Sequence, residues 1–196
     1  MPPQKRIFRQ DILQAASSLV REQGPQALSV RNLAKKMGCS TQPIYSVFEN
    51  MEALQEKLMA YVREQYLRAD ASSYKQVALS FLHFAQREKN LFRLVYLRQR
   101  RAGETIFEDP NQSETIRKLG ASLEIPPQTA ARMHRRMQYY CYSMAVMMAT
   151  GYLDFTEEEI SQELTEYYRI ILSYYKQVKS EEELQHWLER SRNLLA

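Results

Sequence analysis

Helix-breaking residues are few in this chain, and their positions divide it into pieces of helical length. Its 196 residues include five glycines and seven prolines, and the main breaks fall at Gly24-Pro25, Gly38, Gly103, Pro110, Pro126-Pro127 and Gly151. Between these breaks, apolar residues recur every three or four positions, and no segment shows the alternation that a strand requires. The pattern therefore predicts an all-α fold.

The first third of the chain carries local signals for four successive helices. The first ends at Gly24, and Ser29 is placed to cap a second helix that ends at Gly38. Ser40 is expected to cap the third helix and Asn50 the fourth. The remainder is predicted to form longer helices near 72–88, 89–101, 111–123, 127–150, 157–178 and 180–194.

Composition excludes several classes of protein. A hydrophobic content of 44% with 11% aromatic residues is sufficient for a folded core. Two cysteines, Cys39 and Cys141, cannot form a disulfide framework or a cysteine-rich zinc site. The chain shows neither a secretory signal nor an apolar stretch of roughly 18 residues, so we expect a soluble, cytoplasmic protein.

The net charge of +4 is concentrated at one end of the chain. Residues 1–50 contain seven basic and three acidic side chains, whereas residues 51–196 contain 20 of each. An excess of positive charge confined to one segment indicates an anionic partner for that segment.

Residues 29–48, SVRNLAKKMGCSTQPIYSVF, have the pattern of a helix-turn-helix. One helix of such a pair fits the major groove of B-DNA while the other holds the backbone. Short or amide side chains suited to base edges are present at Thr41, Gln42 and Ser46, and Tyr45 can reach a phosphate. Two short helices around a glycine turn also occur in bundles that bind no DNA. The excess positive charge lies in the same segment as this motif, which itself contains Arg31, Lys35 and Lys36, and this favours duplex DNA as the partner.

The same region resembles a known family. Residues 7–62 are similar to the DNA-binding domain of TetR-type transcriptional regulators, through IFRQDILQAASSLVREQG, LSVRNLAKKMGCS and IYSVFENMEALQEKL. The resemblance implies a three-helix DNA-binding domain over 1–50. It also implies a helical effector-binding and dimerisation domain over 51–196, with helix 51–67 as the connector. The family's function implies a repressor that a small-molecule effector releases.

Carried over position by position, the resemblance assigns Ser29 and Arg31 to contact with the DNA backbone. It places Thr41, Gln42, Pro43, Tyr45 and Ser46 on the DNA-facing side of the third helix. The family usually has glycine where Gln42 stands, and glutamine is a good reader of adenine. It often has lysine where Met51 stands, and Lys57 is the substitute on the same helix for that phosphate contact.

The C-terminal two-thirds are rich in aromatic residues and methionine. An effector pocket is predicted from seven of them, although a simple core would use the same residue types: Phe81, Phe84, Phe92, Tyr96, Tyr140, Met144 and Met148. The resemblance implies that helices 127–150 and 157–178 form a four-helix contact between two subunits. A homodimer would place two reading helices roughly 34–36 Å apart, one for each half of a palindromic operator.

No catalytic motif supports an enzyme, since the chain lacks G-x-S-x-G, a phosphate-binding glycine loop and a metal-ligand cluster. We therefore expect no cofactor and no metal. The alternative hypothesis is a helical interaction module or co-regulator that has kept the fold but lost operator binding of its own.

Overall fold

The structure, a computed structural model, describes residues 7–67, 73–100 and 112–195. Within these ranges every regular element is helical, which confirms the predicted all-α fold. The helices are α1 (Arg9–Gln23), α2 (Val30–Met37), α3 (Gln42–Val47), α4 (Met51–Leu67), α5 (Tyr74–Arg87), α6 (Lys89–Tyr96), α7 (Gln112–Leu123), α8 (Pro127–Thr150), α9 (Glu157–Lys176), α10 (Glu181–Arg190) and α11 (Arg192–Leu195). A 3₁₀ turn at Pro25–Ala27 lies between α1 and α2.

Most of the predicted caps are formed by side chains three residues from their partners. The Ser29 hydroxyl oxygen accepts the Asn32 amide at 3.2 Å, and the Asn50 side chain accepts the Ala53 amide at 2.8 Å. The predicted cap at Ser40 is wrong. Thr41 is the residue before α3; its backbone is helical and its side chain caps nothing.

The chain packs into two compact units that interleave along the sequence. The first comprises Met1–Arg68 and Arg87–Arg100, and the second comprises Ala69–Gln86 and Arg101–Ala196. By packing, α4 and α6 therefore belong with the N-terminal helices. The boundary predicted between a DNA-binding domain over 1–50 and an effector-binding domain over 51–196 concerns function rather than packing, and it stays a prediction.

The first unit is built around α1, which packs on α2, α4 and α6. Its core consists of fully or almost fully buried apolar side chains from five helices: Ile12, Leu19, Leu33, Ile44, Leu54, Leu58, Val62, Leu91 and Val95. Burying each such side chain contributes about 1.5–3 kcal/mol. Helix α6 ends at Tyr96 rather than near residue 101, because the sequence that follows Leu97 is Arg-Gln-Arg and offers no apolar side chain to bury.

The second unit is centred on α8, which packs on α7 and α9. Helix α7 packs closely at Gly120, where an added Cβ would lie 3.3 Å from the Ile125 carbonyl oxygen in the connection to α8 and 3.7 Å from the Cβ of Ala130 in α8. Methionines of α8 fill the interior together with apolar residues of α9, and the buried set includes Met133, Met144, Met148, Ile160, Leu164 and Leu172.

The C-terminal segment, predicted as one helix over 180–194, is divided at Ser191 into α10 and α11. The fully buried Ser191 hydroxyl donates to the Trp187 carbonyl at 2.8 Å. Lys176 fastens this segment to the rest of the unit, since its ammonium lies 3.4 Å from the centroid of the Trp187 ring and donates to the Leu123 carbonyl at 2.9 Å. Helix α10 therefore packs on α9 and α7, and α11 packs on α10.

Candidate nucleic-acid interface

Helices α2 and α3 form a helix-turn-helix whose turn is made at Gly38. This glycine has φ 65° and ψ 34°, a left-handed conformation that costs side-chain-bearing residues about 1–2 kcal/mol. Two side chains, Ile44 and Phe48, are buried at 1% and 2% exposure and fix α3 against the first unit. The opposite side of α3 is consequently turned to solvent.

The predicted reading residues lie on that solvent side. Gln42, Tyr45 and Ser46 are exposed, with Tyr45 at 54%, and their spacing of three and four residues puts them on one helix face. Thr41 and Pro43 are half-buried at the start of the helix. Such a face can present amide, hydroxyl and phenol groups to a single groove.

The two hydroxyls in this region already take part in local bonds. Ser46 donates to the Pro43 carbonyl at 2.7 Å, so its oxygen remains an acceptor for a base amino group. Ser29 accepts the Asn32 amide at the start of α2, so its proton remains available for a phosphate oxygen. Towards DNA, Ser46 can therefore accept a hydrogen bond and Ser29 can donate one.

Basic side chains near the helix-turn-helix differ in how they are paired. The Lys36 ammonium lies 2.8 Å from Glu22 of α1, and this contact lowers the pKa of the Glu22 carboxyl. Arg31 and Lys35 are exposed and form no ion pair within the described ranges. Part of the charge excess seen in the sequence is therefore neutralised inside the first unit.

Arg9, which the sequence groups with Lys5 and Arg6 in a possible basic arm, is a further basic residue near the interface. Its guanidinium carbon lies 5.2 Å from the centroid of the Phe48 ring, where α3 ends. A contact between residues 39 positions apart leaves no local sequence signal. Lys5 and Arg6, which precede it in the same basic stretch, lie outside the described residues.

Lys57 does not occupy the position of the missing lysine at Met51. It is exposed on α4, but six residues further along, which is about 9 Å of helical rise and a different face. The start of α4 is instead defined by Asn50, whose side chain caps the helix. A role for Lys57 in DNA contact stays a prediction.

The seven predicted effector residues are divided between the two units. Phe92 and Tyr96 are buried in the first unit, with ring centroids 4.9 Å apart. In the second unit, α5 carries half-buried Phe81 and buried Phe84, and α8 carries half-buried Tyr140 with buried Met144 and Met148. The effector pocket stays a prediction.

Tyr140 is the member of the set with a strong polar partner. Its hydroxyl donates to Glu163 at 2.5 Å, and its ring stacks on Tyr167 with centroids 3.9 Å apart. Burial, together with the Glu163 hydrogen bond, raises the Tyr140 pKa. The phenol therefore stays neutral and links α8 to α9.

Within the described ranges, no cluster of three or more His, Cys, Asp or Glu side chains is arranged to hold a metal ion. Burial raises the pKa of the Cys141 thiol to about 12, so it is not a nucleophile at neutral pH. None of the described helices combines the length and the apolar character that a membrane crossing requires.

An all-helical chain with a helix-turn-helix on a small N-terminal unit is the architecture of a DNA-binding regulator. Residues 12–58 match the family model of bacterial regulatory proteins of the tetR family. A solved TetR variant from Acinetobacter baumannii AYE, in complex with minocycline, is similar in structure with a TM-score of 0.61. That similarity covers 89% of this chain and 99% of the other at 20% identity, which by itself shows the fold alone. No curated protein sequence matches the chain.

The match over residues 12–58 supports the resemblance to TetR-type regulators that the sequence indicates for this region. The same match supports a DNA-binding regulator.

Proposed function

We propose that this protein is a homodimeric repressor that binds a palindromic operator through α3 and is released by a small-molecule effector. One observation carries the DNA-binding part. Helix α3 is fixed by buried Ile44 and Phe48, while Gln42, Tyr45 and Ser46 are exposed together on its other face.

The roles of the exposed groups follow from their chemistry. Gln42 carries an amide that can bond adenine in two places, and such a contact discriminates against other bases by about 1–3 kcal/mol. Tyr45, Ser29 and Arg31 are suited to phosphate oxygens, which position the protein without reading sequence. Thr41, Pro43 and Ser46 complete the surface that would face the groove.

The outer surface of α8 and α9 supports the homodimer. Three large side chains there are more than half exposed: Tyr139 at 56%, Ile170 at 64% and Tyr174 at 68%. Arg135 lies at one end of this apolar patch, and Glu166 lies at the other. The Arg136–Tyr175 hydrogen bond, 2.9 Å long, and the Tyr140–Glu163 bond show that α8 and α9 run antiparallel.

Such a surface is complementary to a second copy of itself. A two-fold axis through the apolar patch would bring the basic end of one copy over the acidic end of the other, as an isologous interface requires. The exposed aromatic side chains would then be covered at the centre. Two α3 helices held in this way could read both halves of a palindrome.

The effector part of the proposal rests on residue chemistry in the second unit. Helices α5 and α8 contribute aromatic rings and methionines to the second unit: Phe81, Phe84, Tyr140, Met144 and Met148. The other two members of the predicted set, Phe92 and Tyr96, belong to the first unit. The minocycline bound by the similar TetR variant supports a small organic molecule as the class of ligand.

Selection of bound fragments from genomic and random-sequence duplexes tests the proposal. We expect enrichment of a short palindrome and a steep loss of affinity with salt. Tyr45→Ala should weaken binding to the enriched duplex, whereas Tyr152→Ala is the matched control, because Tyr152 is 80% exposed outside α3. Equal affinity of both variants would contradict the assignment of α3.

A second candidate function is the interaction module that has lost operator binding. The pairing of Lys36 with Glu22 and the absence of an ammonium group at Met51 favour it, since both reduce the charge available to phosphate. The same selection separates the two functions, because the interaction module would enrich no sequence at all.

A further inference from the structure

The start of α5 is joined to two other helices of the second unit by long side chains. The Tyr74 hydroxyl lies 2.9 Å from His134 Nδ1 of α8. The Lys75 ammonium donates to the Thr165 hydroxyl of α9 at 2.9 Å. All four residues belong to the second unit, and so Lys75 lies where α5, α8 and α9 come together.

Lys75 has hydrogen-bonding capacity that this contact does not use. An ammonium carries three N–H donors, and the Thr165 oxygen accepts one of them. Within the described ranges no carboxylate pairs with the ammonium, although the Lys75 side chain is half-buried. The Thr165 hydroxyl donates in turn to the Ser161 carbonyl at 2.8 Å, so the partner on α9 is neutral. Two charged donors of Lys75 therefore remain for another acceptor.

The surroundings of Lys75 favour an anion as that acceptor. Burial lowers the pKa of Lys75, because desolvation penalises the charged ammonium, and a negative charge beside it would offset this penalty. Two carboxylates lie close to Thr165 along α9. Glu163 accepts the Tyr140 hydroxyl at 2.5 Å, and Glu166 is exposed, so neither supplies the negative charge.

The same three helices supply an apolar interior with few polar atoms. Met137 of α8 and Leu164 of α9, which are close in sequence to the contacts of α5, are at most 5% exposed. His83, two turns beyond Lys75 on α5, adds a second unused polar atom, since its Nε2 is buried and has no hydrogen bond in the part of the chain that the structure describes. Mostly apolar surroundings with a few polar groups are typical of sites for small organic molecules.

We propose that Lys75 binds the charged group of the effector, and that the effector is an apolar organic molecule with a single negative charge, such as a carboxylate or a sulfonate. The inference rests on the proposed function, since it names the class of effector. One ammonium balances one negative charge. A phosphate ester carries nearly two, and the second would stay uncompensated in the interior.

Two dyes with the same aromatic rings test the proposal. 1-Anilinonaphthalene-8-sulfonate carries one negative charge and N-phenyl-1-naphthylamine carries none, and both become fluorescent in apolar surroundings. Titration of each dye with the full chain gives its affinity. We expect the wild type to bind the anionic dye, and Lys75→Met to weaken that binding by about ten-fold or more while affinity for the neutral dye changes little. Lys75→Arg, which keeps the charge, should retain the anionic dye.

Arg135→Met is the matched control for adsorption at the surface. Arg135 is an exposed cation at one end of the apolar patch on α8 and α9, where an anionic dye could also bind. This variant should keep the wild-type affinity for the anionic dye. A loss in Arg135→Met that is not seen in Lys75→Met would place the dye on the outer surface and overturn the inference.

The remaining outcomes separate Lys75 as a ligand contact from Lys75 as a structural contact. Equal losses of both dyes in Lys75→Met would mean that Lys75 only fastens α5 to α9, and would overturn the inference. A wild type that binds neither dye would do the same. Lys75→Gln, which can still donate to Thr165 but has no charge, takes the place of Lys75→Met if that variant fails to fold.

Inorganic phosphate tests the single charge. At millimolar concentration it should not displace the anionic dye, and displacement would contradict the assignment to a singly charged organic molecule. These titrations contain no DNA, so their result does not depend on the operator. Failure to enrich any duplex would contradict the proposed function, whereas an enriched duplex together with equal dye affinities in wild type and Lys75→Met would overturn the class of effector alone.

Discussion

The guanidinium group of Arg9 lies over the ring of Phe48, 5.2 Å from its centroid, and so the start of α1 is held beside the end of α3. Phe48 is buried and fixes α3, while Arg9 is exposed. A guanidinium held over an aromatic face retains N–H donors that can bond an anion. Arg9 is therefore positioned to bind a phosphate next to the groove that α3 enters.

Arg9→Ala should weaken binding to every duplex by a similar factor and lower the slope of log affinity against log salt by about 1. Thermal unfolding should change little, because the residue is exposed. Fluorescence anisotropy at several salt concentrations measures both quantities. Arg117→Ala is the control, since Arg117 pairs with Glu114 in the second unit. An unchanged salt slope in Arg9→Ala would show that Arg9 contacts no phosphate.

Gln42 should determine one base of each half-site. Replacing it with alanine removes both amide contacts, so we expect a loss of about 1–3 kcal/mol for the preferred base and nearly equal affinity for all four bases there. Binding to a set of duplexes that differ at single positions provides the measurement. Gln14→Ala, on the exposed side of α1, should leave the base preference unchanged. If Gln42→Ala keeps the wild-type base preference at every position of the half-site, Gln42 does not read a base.

Local features of the first unit could be predicted from the sequence because their causes are local. The Ser29 and Asn50 caps join residues three positions apart, and Gly38 marks a turn that favours glycine whatever surrounds it. The face of α3 follows in the same way from the spacing of its apolar residues. From these features the helix-turn-helix and the resemblance to TetR-type regulators could be recognised.

Contacts between distant residues could not be predicted in this way. Arg9 reaches Phe48 and Lys36 reaches Glu22 only after α1, α2 and α3 have packed, and neither pair has a spacing that a sequence pattern reveals. The place of α6 in the first unit depends equally on Glu88 meeting Arg21, 67 residues earlier. Tertiary packing, rather than helix propensity, decides these contacts.

Reversal of charge at the ends of the α8–α9 surface should control the homodimer. Arg135 is exposed and forms no ion pair within the described ranges, and Glu166 is exposed on the same outer surface. Arg135→Glu or Glu166→Arg alone would place like charges together across a two-fold axis and should shift sedimentation velocity profiles towards monomer. The double variant should restore the dimer, because both ends are then complementary again.

The control for that experiment is Arg117→Glu, a reversal of an exposed charge on α7. It should leave the sedimentation profile of the wild type unchanged. A double variant that remains monomeric while its helical content is intact would show that the two copies meet through another surface.

Glu22 and Lys36 should make a pH-dependent contribution to stability. Hydrogen bonds from Lys36 and Ser18 lower the Glu22 pKa below its ordinary value of 4.5. Because the folded pKa lies below the unfolded one, the stabilisation is complete above pH 4.5 and is lost as the pH falls through the folded value. Lys36→Met should therefore be less stable than wild type at neutral pH, with the difference disappearing in acid.

Lys35→Met is the matched control, because Lys35 is the exposed neighbour that forms no ion pair within the described residues. Urea unfolding across the acid range should show a pH-independent stability difference for Lys35→Met. Lys35→Met should lose more DNA affinity than Lys36→Met, because the Lys35 charge is available to phosphate whereas the Lys36 charge is paired with Glu22. A larger loss of DNA affinity in Lys36→Met than in Lys35→Met would mean that the ion pair opens when DNA binds.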